Sequence, residues 1–345
     1  VERASGIVST YGYDAAGRVA SVKHSDGSEE KYQYRPDGEL LLAENAESKL
    51  IFVRDPLGRI LREVQGDHWV TSEYNLRGHR VRMQSSLGAD QQIERNAMGD
   101  FMGLTHRRKE HDRPFETQLT RDRLGLEVER TLPGGLRSRW LRAQLGRPVQ
   151  QQLVAGGLVL RERQYTWDIG DRLRMVFDSQ YGTARYTHDR LGNLAVAAYD
   201  QGTPKEFRMP DAVGNLFRTE DRSDREYGPA GQLLKSTDAK GRVYRYDYDA
   251  EGNLIRKTRN DDEMWQYRWG ADGMLKAVIR PDGQEVSFAY DPLGRRIRKT
   301  YLGLTTRWVW DGNVPLHEWV EGEFRPVVRS GPLPQWMDGQ SHQRE

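Results

Sequence analysis

Tyr248-Asp249-Ala250-Glu251-Gly252-Asn253-Leu254 is the clearest copy of a unit that recurs along this chain of 345 residues. The unit consists of an aromatic residue, Asp, two variable residues, Gly, a polar or basic residue and an aliphatic residue. Other clear copies are Tyr13–Val19 and Tyr290–Arg296. The Gly place recurs about every 21 residues, at Gly17, Gly38, Gly58, Gly78, Gly99, Gly125, Gly146, Gly192, Gly214, Gly231, Gly252, Gly273 and Gly294, with Asp171 in its place in a fourteenth copy. A period of this length predicts an array of small supersecondary units.

Each copy contains a turn signal, Asp-x-x-Gly, which we call the repeat turn. Asp at the first position accepts a local backbone hydrogen bond, and Gly supplies the left-handed conformation that closes a type I turn. Pro56 and Pro292 stand at the second position, where the fixed φ of proline already suits the turn. Upstream of the turn, aromatic residues alternate at period two, as in Tyr244, Tyr246 and Tyr248. The pattern therefore predicts a β-strand that runs into a hairpin.

A second turn lies between successive copies, as in Asp26-Gly27 and Pro281-Asp282-Gly283, and we call it the linking turn. Each copy is then two strands and two turns, which are not stable alone and must stack on their neighbours. The sequence thus predicts an all-β fold of tandem β-hairpins in one long antiparallel sheet. Native strand twist would coil this sheet. We expect it either to curl on itself or to continue into further repeats.

The residues to which we assign a role are structural. The glycines set the repeat turns, the aspartates close them by hydrogen bonding, and the aromatics pack neighbouring hairpins. The predicted turn residues are Asp14, Gly17, Gly38, Asp55, Gly58, Gly78, Gly99, Asp122, Gly125, Asp189, Gly192, Asp211, Gly214, Asp249, Gly252, Gly273, Asp291 and Gly294. The predicted packing aromatics are Tyr13, Tyr34, Tyr248, Trp269, Tyr290 and Trp310.

The composition excludes several classes of protein. The chain has 36% hydrophobic and 30% charged residues, and its 10% aromatic content argues against disorder. A net charge of +2 gives no strong field for nucleic acid or an anionic membrane. With no Cys, disulfides and thiol nucleophiles are excluded. No stretch approaches 18 apolar residues, so no membrane span is expected. The start at Val1 without Met suggests a soluble piece of a longer protein.

Local matches to catalytic or metal motifs are weak. Asp247-x-Asp249-x-Glu251-Gly252 resembles the start of a calcium loop, but Thr258 stands where the bidentate Glu is required. Gly231–Ser236 resembles the end of a phosphate loop with one residue too few. The eight histidines form no H-E-x-x-H pattern, and no G-x-S-x-G occurs. We therefore expect no catalytic residue, no metal and no cofactor.

The repeated Tyr-Asp-x-x-Gly-[Arg/Asn]-[Leu/Val] unit closely resembles the YD repeats of Rhs proteins, over roughly residues 11–320. The array end strengthens the resemblance: Asp291–Lys299, then Trp308-Val309-Trp310-Asp311-Gly312 and Glu318, is similar to the stretch before the closing segment of an Rhs core. The resemblance implies two regions, the repeat array at 1–320 and a post-repeat tail at 321–345.

In that family the repeats form a hollow β shell around a C-terminal toxin. By resemblance, this chain is a non-catalytic shell segment of a polymorphic toxin. Its implied partners are the toxin domain of the same parent protein, further repeats of the shell, and secretion spike proteins or a chaperone. The implied location is cytoplasmic before delivery and then secreted, most often by a type VI system, in bacterial competition.

One departure and one alternative stand beside this interpretation. Rhs cores usually end in an Asp-Pro-x-Gly-Leu self-cleavage segment, whereas Arg59 and Arg295 follow the two Asp-Pro-Leu-Gly sequences here, which fit repeat turns instead. The alternative function is carbohydrate or cell-surface binding, because aromatic β-hairpin arrays of similar length also resemble choline-binding repeats. In that case the aromatic rings would face solvent.

Overall fold

The computed structural model of the protein describes residues 1–108, 113–200, 202–260 and 262–328, and these residues are nearly all β with no α-helix. The strands are β1 Ser9–Tyr13, β2 Val19–His24, β3 Glu29–Tyr34, β4 Leu40–Glu44, β5 Lys49–Arg54, β6 Ile60–Gln65, β7 His68–Tyr74, β8 Arg80–Ser85, β9 Ala89–Arg95, β10 Phe101–Arg108, β11 Phe115–Arg121, β12 Glu127–Leu132, β13 Leu136–Arg142, β14 Pro148–Ala155, β15 Leu158–Trp167, β16 Leu173–Asp178, β17 Gly182–His188, β18 Leu194–Tyr199, β19 Glu206–Phe207, β20 Met209–Pro210, β21 Leu216–Phe217, β22 Arg225–Tyr227, β23 Leu233–Thr237, β24 Val243–Tyr248, β25 Leu254–Arg259, β26 Glu263–Trp269, β27 Leu275–Ile279, β28 Glu285–Tyr290, β29 Arg296–Tyr301, β30 Leu304–Asp311, β31 Val314–Val320 and β32 Glu323–Val328. Short 3-10 turns occupy Pro133–Gly135 and Pro229–Gly231.

Most of the predicted post-repeat tail, residues 329–345, lies outside the described residues. The first part of that tail contributes the last strand, β32, which pairs antiparallel with β31. The division into an array at 1–320 and a tail therefore stays a prediction.

Strands pair antiparallel with the next strand along the chain, as the alternation of repeat and linking turns requires. Strands β1–β19 belong to one long sheet and β22–β32 to another. The long antiparallel sheet predicted from the repeat is confirmed, but it is interrupted. Between the two sheets, β20 and β21 form a separate two-stranded sheet in which each strand has two residues.

The interruption coincides with the irregular part of the repeat. The steps between Gly192, Gly214 and Gly231 are 22 and 17 residues, where neighbouring steps are 21. Pro204 and Pro210 also lie here, and proline removes a backbone donor from the strand ladder. The strands shorten to two residues where the shortest step and these prolines occur together.

The chain divides into two compact units. Unit 1 comprises Val1–Tyr74, Arg82–Asp90 and Tyr246–Glu345, and unit 2 comprises Asn75–Val81 and Gln91–Arg245. The apolar core of unit 1 consists of two small clusters. One contains Ala43, Leu50 and Phe52, and the other contains Val70, Met83, Ala89, Val309 and Leu316.

Unit 2 buries one face of its sheet with mixed side chains. On β13, Ser138 is buried while the alternating residues Arg137, Arg139 and Leu141 are exposed. Gln151 on the next strand donates from Nε2 to the Ser138 hydroxyl (3.1 Å). In this single-layer sheet, a small polar residue such as Ser138 is thus covered by a longer side chain from the neighbouring strand. Within the described residues, no helix is long and apolar enough to cross a membrane.

Candidate functional site

The repeat turn has the same backbone geometry in all fourteen copies. In the first, the amide of Asp14 donates to the carbonyl of Arg18 (2.9 Å), and the amide of Gly17 donates to the carbonyl of Asp14 (3.0 Å). The same two bonds recur in every copy at 2.8–3.2 Å. The predicted turn glycines all have positive φ, from +74° to +96°, and Asp171 has φ +60°. In the first copy the register shifts between Gly12 and Tyr13, which is the bulge that accompanies a type I turn closed by a left-handed residue.

The first residue of the repeat turn organises the loop through its side chain. Oδ1 of Asp14 accepts from the amides of Ala16 and Arg18, both at 2.9 Å. This pair of bonds, at 2.8–3.0 Å, occurs in all ten copies that have Asp or Asn at this place: Asp14, Asp55, Asn75, Asn96, Asp122, Asp168, Asp189, Asp211, Asp249 and Asp291. The predicted aspartates therefore close their turns by accepting hydrogen bonds from the turn's own backbone amides.

The residue after the Gly place completes the turn, a role that sequence reasoning missed. Arg59 donates from Nε to Oδ2 of Asp55 (2.6 Å), and Asn253 donates from Nδ2 to Oδ2 of Asp249 (3.0 Å). Burial would raise the pKa of Asp55, but the hydrogen bonds and charge of Arg59 outweigh it and lower that pKa. The preference for Arg or Asn at this place of the unit could have pointed to the bond, since both side chains donate.

The residue before the repeat turn links neighbouring copies. The Tyr34 hydroxyl donates to the carbonyl of Val19 (2.9 Å), and Nε1 of Trp269 donates to the carbonyl of Leu254 (2.8 Å). The acceptor is always the carbonyl two residues after the Gly place of the preceding copy. The same bond forms at Tyr74, Trp167, Tyr227 and Trp310. Half-buried rings at this place thus contribute a hydrogen bond as well as apolar area.

Arginine replaces the aromatic residue in four copies and keeps the hydrogen bond. Nε of Arg54 donates to the carbonyl of Leu40 (3.0 Å), and Nη1 of Arg54 donates to the carbonyl of Gly58 in its own turn (2.6 Å). Arg95, Arg121 and Arg142 make the equivalent pairs of bonds. Sequence reasoning missed these residues because it treated this place as one of apolar packing.

The predicted packing aromatics do not all pack alike. Tyr34, Tyr248, Trp269, Tyr290 and Trp310 are half-buried. Tyr13 is 62% exposed, so less of its ring is packed against neighbouring hairpins than predicted. Tyr13 belongs to the first copy in the chain, and the donor role at this place uses a carbonyl of the copy before.

Within unit 1, the first and last hairpins meet along a surface that we call the seam. Linking turns of the N-terminal hairpins (residues 3–6, 24–28, 45–48 and 65–67) contact the C-terminal hairpins at or directly beside the repeat turns 249–252, 270–273 and 291–294, and at the shorter turn 310–312. Hydrogen bonds at Asp26, Asn45 and Gln65 each reach a residue 245 positions later. The two series therefore run in the same direction and in register.

Side chains of the linking turns bind backbone groups of the repeat turns across the seam. Nδ2 of Asn45 donates to the carbonyl of Tyr290 (3.1 Å). Gln65 donates from Nε2 to the carbonyl of Trp310 (2.6 Å) and accepts from the Trp310 amide at Oε1 (2.9 Å). The Tyr32 hydroxyl donates to the carbonyl of Pro292 (3.2 Å). These bonds satisfy backbone groups at turns that the seam covers.

A buried ion-pair network lies at the centre of the seam. Arg295 donates from Nη2 to Oε1 of Glu63 (2.7 Å), from Nε to Oδ2 of Asp291 (2.6 Å) and from Nη1 to the carbonyl of Gly312 (2.7 Å). The Arg295 and Glu63 side chains are 6% and 5% exposed. Burial raises the pKa of Glu63, and the charge and hydrogen bond of Arg295 only partly offset this effect.

Next to this network, a second polar contact is enclosed by apolar residues. The Ser85 hydroxyl and Nε2 of His317 are 2.7 Å apart, and His317 is fully buried. Val309 and Leu316 pack here against Val70, within the second apolar cluster. Sequence reasoning missed the seam, because its contacts join residues more than 200 positions apart and many of them use backbone atoms.

Within the described ranges, no group of three His, Asp or Glu side chains is placed to hold a metal ion. The charged groups of the repeat turns are mostly engaged in bonds that close the turns. The candidate site is the set of repeat turns and the seam.

Comparisons with known proteins point to one repeat family. The model of the family described as RHS Repeat matches residues 1–29, 227–264 and 269–306. Double-stranded DNA deaminase toxin A of Burkholderia cenocepacia is 30% identical over 211 residues, which are 56% of this chain and 14% of that protein. Toxin protein Tse5 of Pseudomonas aeruginosa is 28% identical over 216 residues, which are 59% of this chain and 16% of that protein. The chain thus spans about one seventh of the length of these relatives.

Solved structures of Tc toxins are also similar. The crystal structure of TcdB2-TccC3-TEV has a TM-score of 0.49 at 15% identity, covering 90% of this chain and 19% of that one. The Photorhabdus luminescens Tc holotoxin pore has a TM-score of 0.48 at 14% identity, covering 90% and 18%. The family model and the toxin relatives agree on the repeats: residues 1–29, 227–264 and 269–306 are similar to RHS repeats, and all fourteen copies along the chain share one turn geometry.

Proposed function

We propose that this array is a wall segment of a β shell that encloses the C-terminal toxin domain of a longer parent protein and delivers it to another cell. The observation that carries the proposal is the seam, where late hairpins dock on early ones in register. Turns that dock side by side can join neighbouring stretches of a single-layer sheet into one wall. The repeat family and the toxin relatives support the same role.

In this proposal the segment itself is not an enzyme. The wall acts by sequestration: it holds the toxin polypeptide away from solvent and from the producing cell. The partners are the toxin domain, further repeats of the same shell, and spike or chaperone proteins of the export route. In this proposal the parent protein is cytoplasmic before it is exported, by a type VI system, for competition between bacteria.

The bonding of the aromatic side chains favours a wall over a carbohydrate-binding surface. Rings such as Trp269 and Trp310 are half-buried, and their N–H groups already donate to backbone carbonyls. Sugar-binding repeats need aromatic faces that are open to ligand. Acrylamide should therefore quench the fluorescence of most of the nine Trp inefficiently, and broad accessibility would support the binding alternative.

Limited proteolysis of the parent protein tests enclosure directly. In the intact parent, the toxin domain should resist protease at concentrations that digest the same domain expressed alone. A Glu63→Arg variant, which places two cations together in the seam, should make the enclosed domain sensitive. A Glu116→Arg variant makes the same charge reversal at an exposed carboxylate on β11, outside the seam, and serves as the control. Equal sensitivity of the intact parent and the isolated domain would contradict the proposal.

A further inference from the structure

We infer that Glu63 and Arg295 set the register of the seam. They select, among hairpins of nearly equal shape, the one on which the repeat turn at 291–294 docks. This inference concerns the fold of the array alone, so it stands or falls independently of any enclosed cargo.

The seam has a registration problem because the array is repetitive. Much of its bonding is to backbone: Asn45 binds the carbonyl of Tyr290, Tyr32 binds that of Pro292, and Gln65 binds both backbone groups of Trp310. Equivalent backbone groups recur in every copy. These contacts hold the N-terminal and C-terminal hairpins together, but similar contacts could form if the two sides docked one repeat out of register.

The ion pair does distinguish, because its equivalents in neighbouring copies are uncharged. Glu63 is the fifth residue after Gly58, and the fifth residues after Gly38 and Gly78 are Ala43 and Met83, both buried. Arg295 directly follows Gly294, and its equivalent in the preceding copy is Met274. Docking one repeat out of register would place Arg295 opposite Ala43 or Met83, and Glu63 opposite Met274 in one of the two displacements.

Such a displacement is strongly disfavoured by the burial of both groups. Glu63 is only 5% exposed, so it would lose Arg295 without regaining water, whereas Arg295 would keep only Asp291 of its two carboxylate partners. An unpaired buried charge is far more costly than a lost backbone hydrogen bond. Buried polar pairs that fix register at some cost in stability are known from coiled coils.

A matched pair of sequences separates the turn from its docking. Asp-Pro-Leu-Gly-Arg occurs at 55–59 and at 291–295, and both copies form the same internal ion pair at 2.6 Å. In the first copy Leu57 is 79% exposed, whereas Leu293 in the docked copy is 44% exposed. The five residues alone therefore do not decide docking. The two copies differ in that Arg295 pairs with Glu63 of the facing hairpin.

Spin labels can report the register because the chain has no Cys. Glu47 and Arg298 form an ion pair of 2.9 Å at the rim of the seam, with side chains 40% and 38% exposed. Labels at Glu47→Cys and Arg298→Cys should give one short distance in the parent chain by electron spin resonance. A shift of one repeat displaces one label along the array by two strand spacings, about 10 Å, so it should give a second, longer distance.

The test removes the key residue and then moves it. Glu63→Met should keep a cooperative thermal transition but add a second, longer distance. Exchange of the equivalent residues, Glu63→Ala with Ala43→Glu, should shift the main population to the longer distance. Arg59→Met, in the matched pentapeptide away from the seam, should leave the single short distance unchanged.

Glu63→Gln keeps the shape of the side chain and decides the outcome if Glu63→Met does not fold. A longer or broadened distance in any folded variant that lacks Glu63 supports the inference. If the folded variants and the exchange all keep the single short distance of the parent, the register is set elsewhere and the inference is overturned.

Discussion

Glycine at the repeat turn meets two requirements at once. The first is its left-handed backbone, with φ +77° at Gly17 and +84° at Gly146. The second is space, because the residue after one turn glycine reaches over the turn glycine of the next copy. At Gly146, an added Cβ would lie 2.7 Å from Cδ1 of Leu126, whereas at Gly17 it would meet nothing within 4 Å.

These two glycines make a matched test. Gly17→Ala should lower the free energy of unfolding by about 1 to 2 kcal/mol, the usual penalty for a left-handed non-glycine residue. Gly146→Ala should cost about 1 kcal/mol more, because Leu126 must move. Urea titrations of both variants measure the difference. Equal losses would show that the side chain above Gly146 adapts without cost.

The hydroxyl of Tyr34 can be removed with little change in packing. Tyr34→Phe deletes its bond to the carbonyl of Val19 and should cost about 1 kcal/mol, the usual net contribution of such a bond. Tyr74→Phe removes the equivalent bond to Ile60 and should behave alike. Tyr13→Phe is the control, since that ring is 62% exposed, and it should be neutral. Chemical denaturation provides the comparison, and a neutral Tyr34→Phe would contradict the donor role.

At the scale of the hairpin, the sequence predicts the regular parts well and the exceptions poorly. The turn at Asp249–Gly252 and the alternating aromatics on β24 depend on local chemistry, so the sequence alone predicts them. The hydrogen bond that Arg54 donates could not be predicted from the sequence, because its acceptor is a carbonyl in the preceding copy. The seam partners Glu63 and Arg295 are likewise determined by which hairpins meet, which local patterns do not encode.

The short strands between the two long sheets should be the least stable elements. β19, β20 and β21 have two residues each, so few ladder bonds protect their amides. In hydrogen exchange with mass spectrometry, residues 206–217 should exchange faster than β13 and β14, which have seven and eight residues. Equal protection in both regions would indicate that other contacts, and not ladder length, control local opening.

At the scale of the whole molecule, the aspartates make the fold sensitive to acid. Folding lowers the pKa of Asp14, Asp26, Asp55, Asp168, Asp178, Asp189, Asp200, Asp211, Asp221 and Asp238. A lowered pKa in the folded state adds stability above the unfolded value and loses it as pH falls. Burial raises the pKa of Glu30 and Glu63, which acts in the opposite direction. The lowered pKa values of the aspartates are the more numerous, so they should determine the net effect of pH on stability.

We therefore expect the free energy of unfolding to fall as pH decreases below about 4, near the ordinary pKa of Asp. Asp178 should contribute strongly: burial would raise its pKa, but hydrogen bonds from Arg161 and Arg163 hold it far below 3.8. Thermal melts between pH 6 and pH 2 should show a shallower decline for Asp178→Asn than for the parent chain. Parallel declines would mean that folding does not lower the pKa of Asp178.

The hydrogen bond before each repeat turn has a consequence for recognising diverged members of such arrays. Tyr, Trp and Arg have little in common as apolar residues, yet each can donate to the same carbonyl. All four copies with Arg at this place lie in residues 30–226, which the family model leaves unmatched. A search profile that scores this column by donor capacity, and not by aromaticity, should detect eroded copies that aromatic consensus overlooks.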